Sequence, residues 1–183
     1  SIERIGKSGA RFNWEKAQWF NQQYLKMTDD ATLAKMLLAN APEAHQDANE
    51  SLVTKVVGML KERMTLLQDF WTQASYFFAL PTEYDRKVVR KKWKEGRRAQ
   101  FEDLQNQLSA LEDFSSEAIE TCIKAFMAEN NLGFGDVLQP FRVMLSGSPK
   151  GPSIFDITAL LGKKEVIHRM KTAADAFDVM KAG

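Results

Sequence analysis

The sequence predicts an all-α protein built as two consecutive helical subdomains. Three observations predict it. Apolar residues recur at three- and four-residue spacing through most of the chain, and no stretch alternates apolar and polar residues long enough to argue a strand. Small polar residues suited to helix capping also stand ahead of most apolar runs.

Asn13 can cap a first helix carrying Trp14, Ala17, Trp19, Phe20, Tyr24 and Leu25. Thr28 or Asp29 can cap a second with Leu33, Met36 and Leu37, which Pro42 closes off. From Asp47, the residues Leu52, Val53, Val56, Val57, Leu60, Met64 and Leu67 read as one long amphipathic helix reaching Leu67 or Gln68. Phe70, Trp71, Ala74, Phe77 and Phe78 continue as an aromatic-rich helix. The residue before a proline is pushed out of the helical region, so Leu80-Pro81-Thr82 marks a boundary and places the subdomain junction near Thr82 to Asp85.

A basic helix follows, with Val88, Val89 and Trp93 turned to the core, and then an amphipathic helix on Phe101, Leu104, Leu108 and Leu111. Ser115 or Ser116 caps the next, which carries Ile119, Ile123, Phe126 and Met127 and ends near Asn130-Asn131. Gly133 and Gly135 open a short helix through Leu145, with Pro140 expected in its first turn. The loop 146–152 leads to a helix capped by Ser153 and ended by Gly162, and a last helix holds Val166, Ile167, Met170 and Ala174.

Composition excludes more than it selects. Hydrophobic residues make up 44% and charged residues 27%, as in ordinary globular helical chains. No apolar run approaches the roughly 20 residues of a membrane span, so no membrane partner is expected. The start, Ser1-Ile2-Glu3-Arg4, reads as a point inside a longer polypeptide. One cysteine, Cys122, excludes an internal disulfide, and a cytoplasmic setting follows; its place between Ile119 and Ile123 makes it a packing thiol. His45 and His168 have no partner at ligand spacing, so no metal site is expected. The net charge of +1 conceals an asymmetry: residues 1–100 hold 17 Lys/Arg against 12 Asp/Glu, while residues 101–183 hold 8 against 12. The first half is the better surface for a polyanion.

No catalytic residues are expected. The phosphate loop of P-loop enzymes, the G-x-S-x-G elbow and H-E-x-x-H are all missing, and Glu102-Asp103 and Glu112-Asp113 read as solvated pairs. Two features remain. Arg86, Lys87, Arg90, Lys91, Lys92, Lys94, Arg97 and Arg98 place eight cations within thirteen positions, opposed only by Glu95. Such a run either meets phosphates, with Arg90, Lys94, Arg97 and Lys150 as candidates, or is a solvated helix face. The loop Ser146-Gly147-Ser148-Pro149-Lys150-Gly151-Pro152, one turn after Arg142, either lets an RNA backbone approach closely or is a plain interhelical turn.

The same loop carries a family resemblance. Gln139-Pro140-Phe141-Arg142-Val143-Met144-Leu145-Ser146-Gly147, then Gly151-Pro152-Ser153-Ile154-Phe155-Asp156-Ile157 and Leu160-Leu161-Gly162-Lys163, resemble the C-terminal signature of bacterial-type glutamyl-tRNA synthetases. Upstream, Lys7-Ser8-Gly9-Ala10-Arg11-Phe12 with Trp19-Phe20-Asn21-Gln22-Gln23-Tyr24-Leu25 is similar to the passage from the stem-contact region, and Leu60-Lys61-Glu62-Arg63 with Leu67-Gln68-Asp69-Phe70 to a third block. The similarity is collinear over nearly the whole chain, weakest over 82–118.

The resemblance implies a C-terminal anticodon-binding region with a helix-bundle or superhelical form. Residues 1–27 would be the end of the stem-contact region and a connecting helix, 28–84 a first helical subdomain and 85–183 a second. It implies that Arg63 inspects the third anticodon base, that Arg142 contacts the others, and that Gly151, Pro152 and Ile154 pack against the splayed anticodon. The partner would be tRNA(Glu), not DNA. The parent would be a monomeric glutamate–tRNA ligase using ATP and Mg2+, with no cofactor and no activity in this fragment, since HIGH and KMSKS are absent from it. The alternatives are a helical protein-interaction scaffold, or the same region of a non-discriminating synthetase that also charges tRNA(Gln).

Overall fold

The computed structural model describes residues 13–182. The block Lys7–Phe12 lies outside the described residues. All regular structure among the described residues is helical, as predicted, and the chain divides into two compact units, the first running to Gln73 and the second starting at Ala74.

The first unit contains α1 (Trp14–Met27), α2 (Asp30–Ala39) and α3 (Glu50–Leu60), with short 3₁₀ turns at Glu43–His45, Lys61–Arg63 and Leu67–Asp69. Each α-helix starts where local chemistry dictates. The side chains of Asn13, Asp29 and Asn49 accept the backbone N–H of Lys16, Thr32 and Leu52, which satisfies donors a helix end leaves open. Leu25, Leu33, Ala34, Leu37, Val53, Val56, Val57, Leu60 and Met64 fill the core.

One expectation about this unit needs correction. The long helix from Asp47 is broken: α3 stops at Leu60, and Met64 and Leu66 take extended backbone. The break is held from outside, because the Asn21 amide donates to the Thr65 carbonyl and Lys61 is paired with Asp30 at 2.7 Å. The apolar residues of α1 are mostly outside the core. Leu25 is buried, whereas Trp14, Trp19, Phe20 and Tyr24 are each more than half exposed.

α4 (Phe70–Phe78) starts in the first unit and continues into the second, which adds α5 (Arg86–Lys92), α6 (Arg97–Ala110), α7 (Ser116–Glu129), α8 (Phe134–Ser146), α9 (Ile154–Leu161) and α10 (Lys163–Ala182). α10 packs on α5, α6, α8 and α9 around a core that includes Trp93, Phe101, Phe126, Phe141 and Phe177. Helical structure stops at Phe78, ahead of Pro81, but Asp85 donates its N–H to the Gly147 carbonyl at 3.0 Å, so this segment belongs with the second unit. The packing thus divides upstream of the 84/85 boundary drawn from the sequence.

Pro140 stands near the middle of α8, not in its first turn, because the helix begins at Phe134. It removes one main-chain bond, yet Val137, Phe141, Val143 and Met144 are buried around it, and that packing carries the helix through. The basic run likewise occupies two helices, α5 and the start of α6, with Trp93 buried between them.

Candidate nucleic-acid interface

In the first unit, Arg63 ends the 3₁₀ turn that follows α3 and is exposed. Its neighbours are fixed while it is left outward: Lys61 pairs with Asp30 and reaches the Thr28 carbonyl at 3.3 Å, and Glu62 pairs with Lys26 at 3.2 Å. Among the described residues nothing pairs with Arg63, so its donors stay open to a partner.

In the second unit, α8 and the loop after it place Arg142 and Gly151 together. Gly147 ends α8 at φ +74 and sits so close to the preceding segment that a Cβ on it would lie 2.5 Å from the Glu83 carbonyl oxygen. The loop then binds itself: the Ser146 hydroxyl lies 2.9 Å from the Arg142 carbonyl and 3.0 Å from that of Ser148, and Lys150 donates its N–H to the Ser148 hydroxyl at 3.3 Å. A Cβ at Gly151 would meet the Arg142 guanidinium at 3.0 Å and the Tyr76 hydroxyl at 3.8 Å. A side chain there would have to displace the end of the arginine and adopt φ +154, so glycine suits the position. Pro152 is buried and Ile154 is 4% exposed, so both side chains support the loop from beneath, whereas Lys150 is exposed.

The four phosphate candidates do not share one environment. Arg90, Lys94 and Lys150 are exposed. Arg97 is 6% exposed and donates to the Gln100 side chain at 2.9 Å, which takes it away from any surface role. Lys92 pairs with Asp136 at 3.1 Å, and Arg98 pairs with Glu102, Asp175 and Asp178. The Lys92 ammonium holds the Asp136 carboxyl below its usual range, and Asp178 is held low first by the Trp93 indole N–H and then by Arg98. Burial pushes the Cys122 thiol up, with Glu129 adding to it, as suits a packing thiol.

One residue escaped the sequence reading. Arg169 of α10 is 2% exposed and donates to the carbonyls of Tyr76, Leu145 and Ala79 at 2.6, 2.7 and 3.3 Å, and to Glu165 at 2.7 Å. It thereby satisfies orphan carbonyls at the C-terminal ends of α4 and α8, the latter leading directly into the loop 147–152. The available signal was an arginine within the buried stripe Val166, Met170 and Ala173.

The geometry thus offers two arginine settings, an exposed Arg63 in the first unit and a half-buried Arg142 beside Gly151 in the second. Residues 14–174 match the family model described as an anticodon binding domain. The chain is 42% identical to a glutamate–tRNA ligase of Flavobacterium psychrophilum over 172 residues, which are 94% of this chain and 34% of that relative. It is 38% identical to the glutamate–tRNA ligase of Bacteroides thetaiotaomicron, with 95% and 34% covered. A crystal structure of a glutamate–tRNA ligase from Elizabethkingia meningosepticum superposes with a TM-score of 0.81 at 34% identity, covering 93% of this chain and 34% of that one. The chain therefore spans about a third of the length of these relatives. With the all-helical fold and the match over residues 14–174 taken together, this chain belongs to the anticodon-binding domain family.

Proposed function

We propose that the chain reads the anticodon of tRNA(Glu) as part of a glutamate–tRNA ligase, a cytoplasmic, monomeric enzyme that joins glutamate to its tRNA with ATP and Mg2+. The observation that carries this reading is the contact between the Arg142 guanidinium and the main chain at Gly151, within a loop whose neighbours are buried supports. Unpaired bases are read on their exposed edges, and a planar guanidinium held beside a loop recognises them with a fixed fork geometry. Arg63, exposed and without a protein partner among the described residues, supplies a second such group for the third anticodon base. Pro152 and Ile154 contribute by holding the loop, since their side chains are buried. Chemistry at ATP and glutamate belongs to the remainder of the enzyme, so the chain alone is inactive in aminoacylation and binds tRNA weakly. Arg63 also favours a parent that discriminates tRNA(Glu) from tRNA(Gln).

The test is binding to tRNA(Glu) and to an anticodon-swapped control by the wild type, Arg63→Gln and Arg142→Ala. The wild type is expected to prefer the cognate anticodon, and each variant to lose about 1–3 kcal/mol of that preference with little change in phosphate-driven affinity. Equal binding of both RNAs by all three proteins rejects the assignment. A protein-interaction scaffold would instead bind its partner with little dependence on salt.

A further inference from the structure

The fold consumes only part of the basic run at 86–98. Lys92, Arg97 and Arg98 are occupied by Asp136, by burial against Gln100, and by Glu102, Asp175 and Asp178. Arg86, Lys87, Arg90, Lys91 and Lys94 are exposed, and among the described residues none of them forms an ion pair. With 3.6 residues per turn, Arg86, Lys87, Arg90 and Lys91 share one arc of α5, away from the buried Val89. α10 adds a sixth cation, because the Lys181 ammonium reaches the Arg90 carbonyl at 3.2 Å. Asp85 is taken up in capping α5 through the Val88 N–H at 2.8 Å, and exposed Glu95, beside Lys94, is the one carboxylate within the run 86–98. The arc begins beside the recognition loop, since Asp85 also donates to the Gly147 carbonyl.

We infer that this cationic face, Arg86, Lys87, Arg90, Lys91 and Lys94, grips the phosphodiester backbone of the RNA whose unpaired bases meet the loop; the inference rests on reading that loop as RNA-facing. At about 1.5 Å per residue α5 is about 10 Å long, so the face can meet only a short run of consecutive phosphates. Lysines and arginines at the surface suit this diffuse task, which positions the RNA and carries no sequence information. The face lacks the apolar wedge that binding to a lipid surface requires, for Val88 is half-buried and Val89 and Trp93 are buried.

The experiment is the salt dependence of tRNA binding, from low to physiological salt, for the wild-type chain and for the variant Arg86→Gln/Lys87→Gln/Arg90→Gln/Lys91→Gln. A control of equal charge change, Lys35→Gln/Lys55→Gln/Lys164→Gln/Lys171→Gln, removes exposed cations elsewhere. The slope of log K against log salt is expected to shrink by about 3 in the α5 variant and by less than about 1 in the control. The two half-variants, Arg86→Gln/Lys87→Gln and Arg90→Gln/Lys91→Gln, should each give about half the effect. An unchanged slope, an equal loss in the control, or no RNA binding by the wild type even at the lowest salt overturns the inference. So does a variant that loses binding to phosphatidylserine vesicles and keeps its RNA slope. The loop is scored separately: if the slope shrinks while every protein binds cognate and swapped anticodons equally, the face stands and the loop reading fails. If the anticodon preference is present and the slope is unmoved, the face fails and the loop stands.

Discussion

Gly147 and Gly96 share the same backbone angle, φ +74, but not the same surroundings. A Cβ at Gly96 would meet nothing within 4 Å, whereas one at Gly147 would lie 2.5 Å from the Glu83 carbonyl oxygen. Gly96→Ala should therefore cost only the left-handed backbone term, about 1–2 kcal/mol. Gly147→Ala should cost distinctly more and weaken anticodon preference, because the loop and the segment before α5 must separate. Urea denaturation of both variants checks the difference. Gly151→Val is expected to displace the Arg142 guanidinium and to lower anticodon preference as far as Arg142→Ala does, read by the same binding assay. The contact between Arg142 and Gly151 was half-legible in the sequence, since the last turn of α8 and a glycine- and proline-rich loop bring them near each other within nine positions. The approach of Tyr76 to that point was not legible, because it is set by packing between helices far apart in the chain.

At the scale of elements, most helix starts were readable, while the start of α8 relative to Pro140 and the end of α3 were not. Capping is a local transaction between a side chain and an N–H three residues on, so Asn13, Asp29, Ser115 and Ser153 announced themselves. The end of α3 at Leu60 is different. Met64 and Leu67 keep the apolar spacing of α3, and what breaks the helix is Asn21, more than forty residues upstream, binding the Thr65 carbonyl. Asn21→Ala is expected to cost about 1 kcal/mol and to speed amide exchange over Met64 to Leu66, as hydrogen-exchange measurements can show. That break also decides how Arg63 is presented, because a continued helix would have placed it in a regular face rather than on a turn between two pinned neighbours.

Across the molecule, the second unit has its own apolar core and also depends on a few buried or linked charges. Asp136 and Asp178 titrate below the unfolded aspartate value of about 3.9. Their contribution is thus present in full above that pH and is lost as pH falls through the lower folded values. Asp136→Asn/Asp178→Asn should flatten the loss of stability as pH falls below about 4, measured by urea midpoints. Arg169→Met should be more damaging at any pH, costing about 3 kcal/mol or more by stranding the carbonyls of Tyr76, Ala79 and Leu145. Because three of its four acceptors are main-chain oxygens, Arg169 places no demand on which side chains stand at 76, 79 and 145. Those positions can drift among related chains without compensating exchanges. The arginine that joins two helix ends would then leave no paired trace, and only its own persistence at position 169 would betray it.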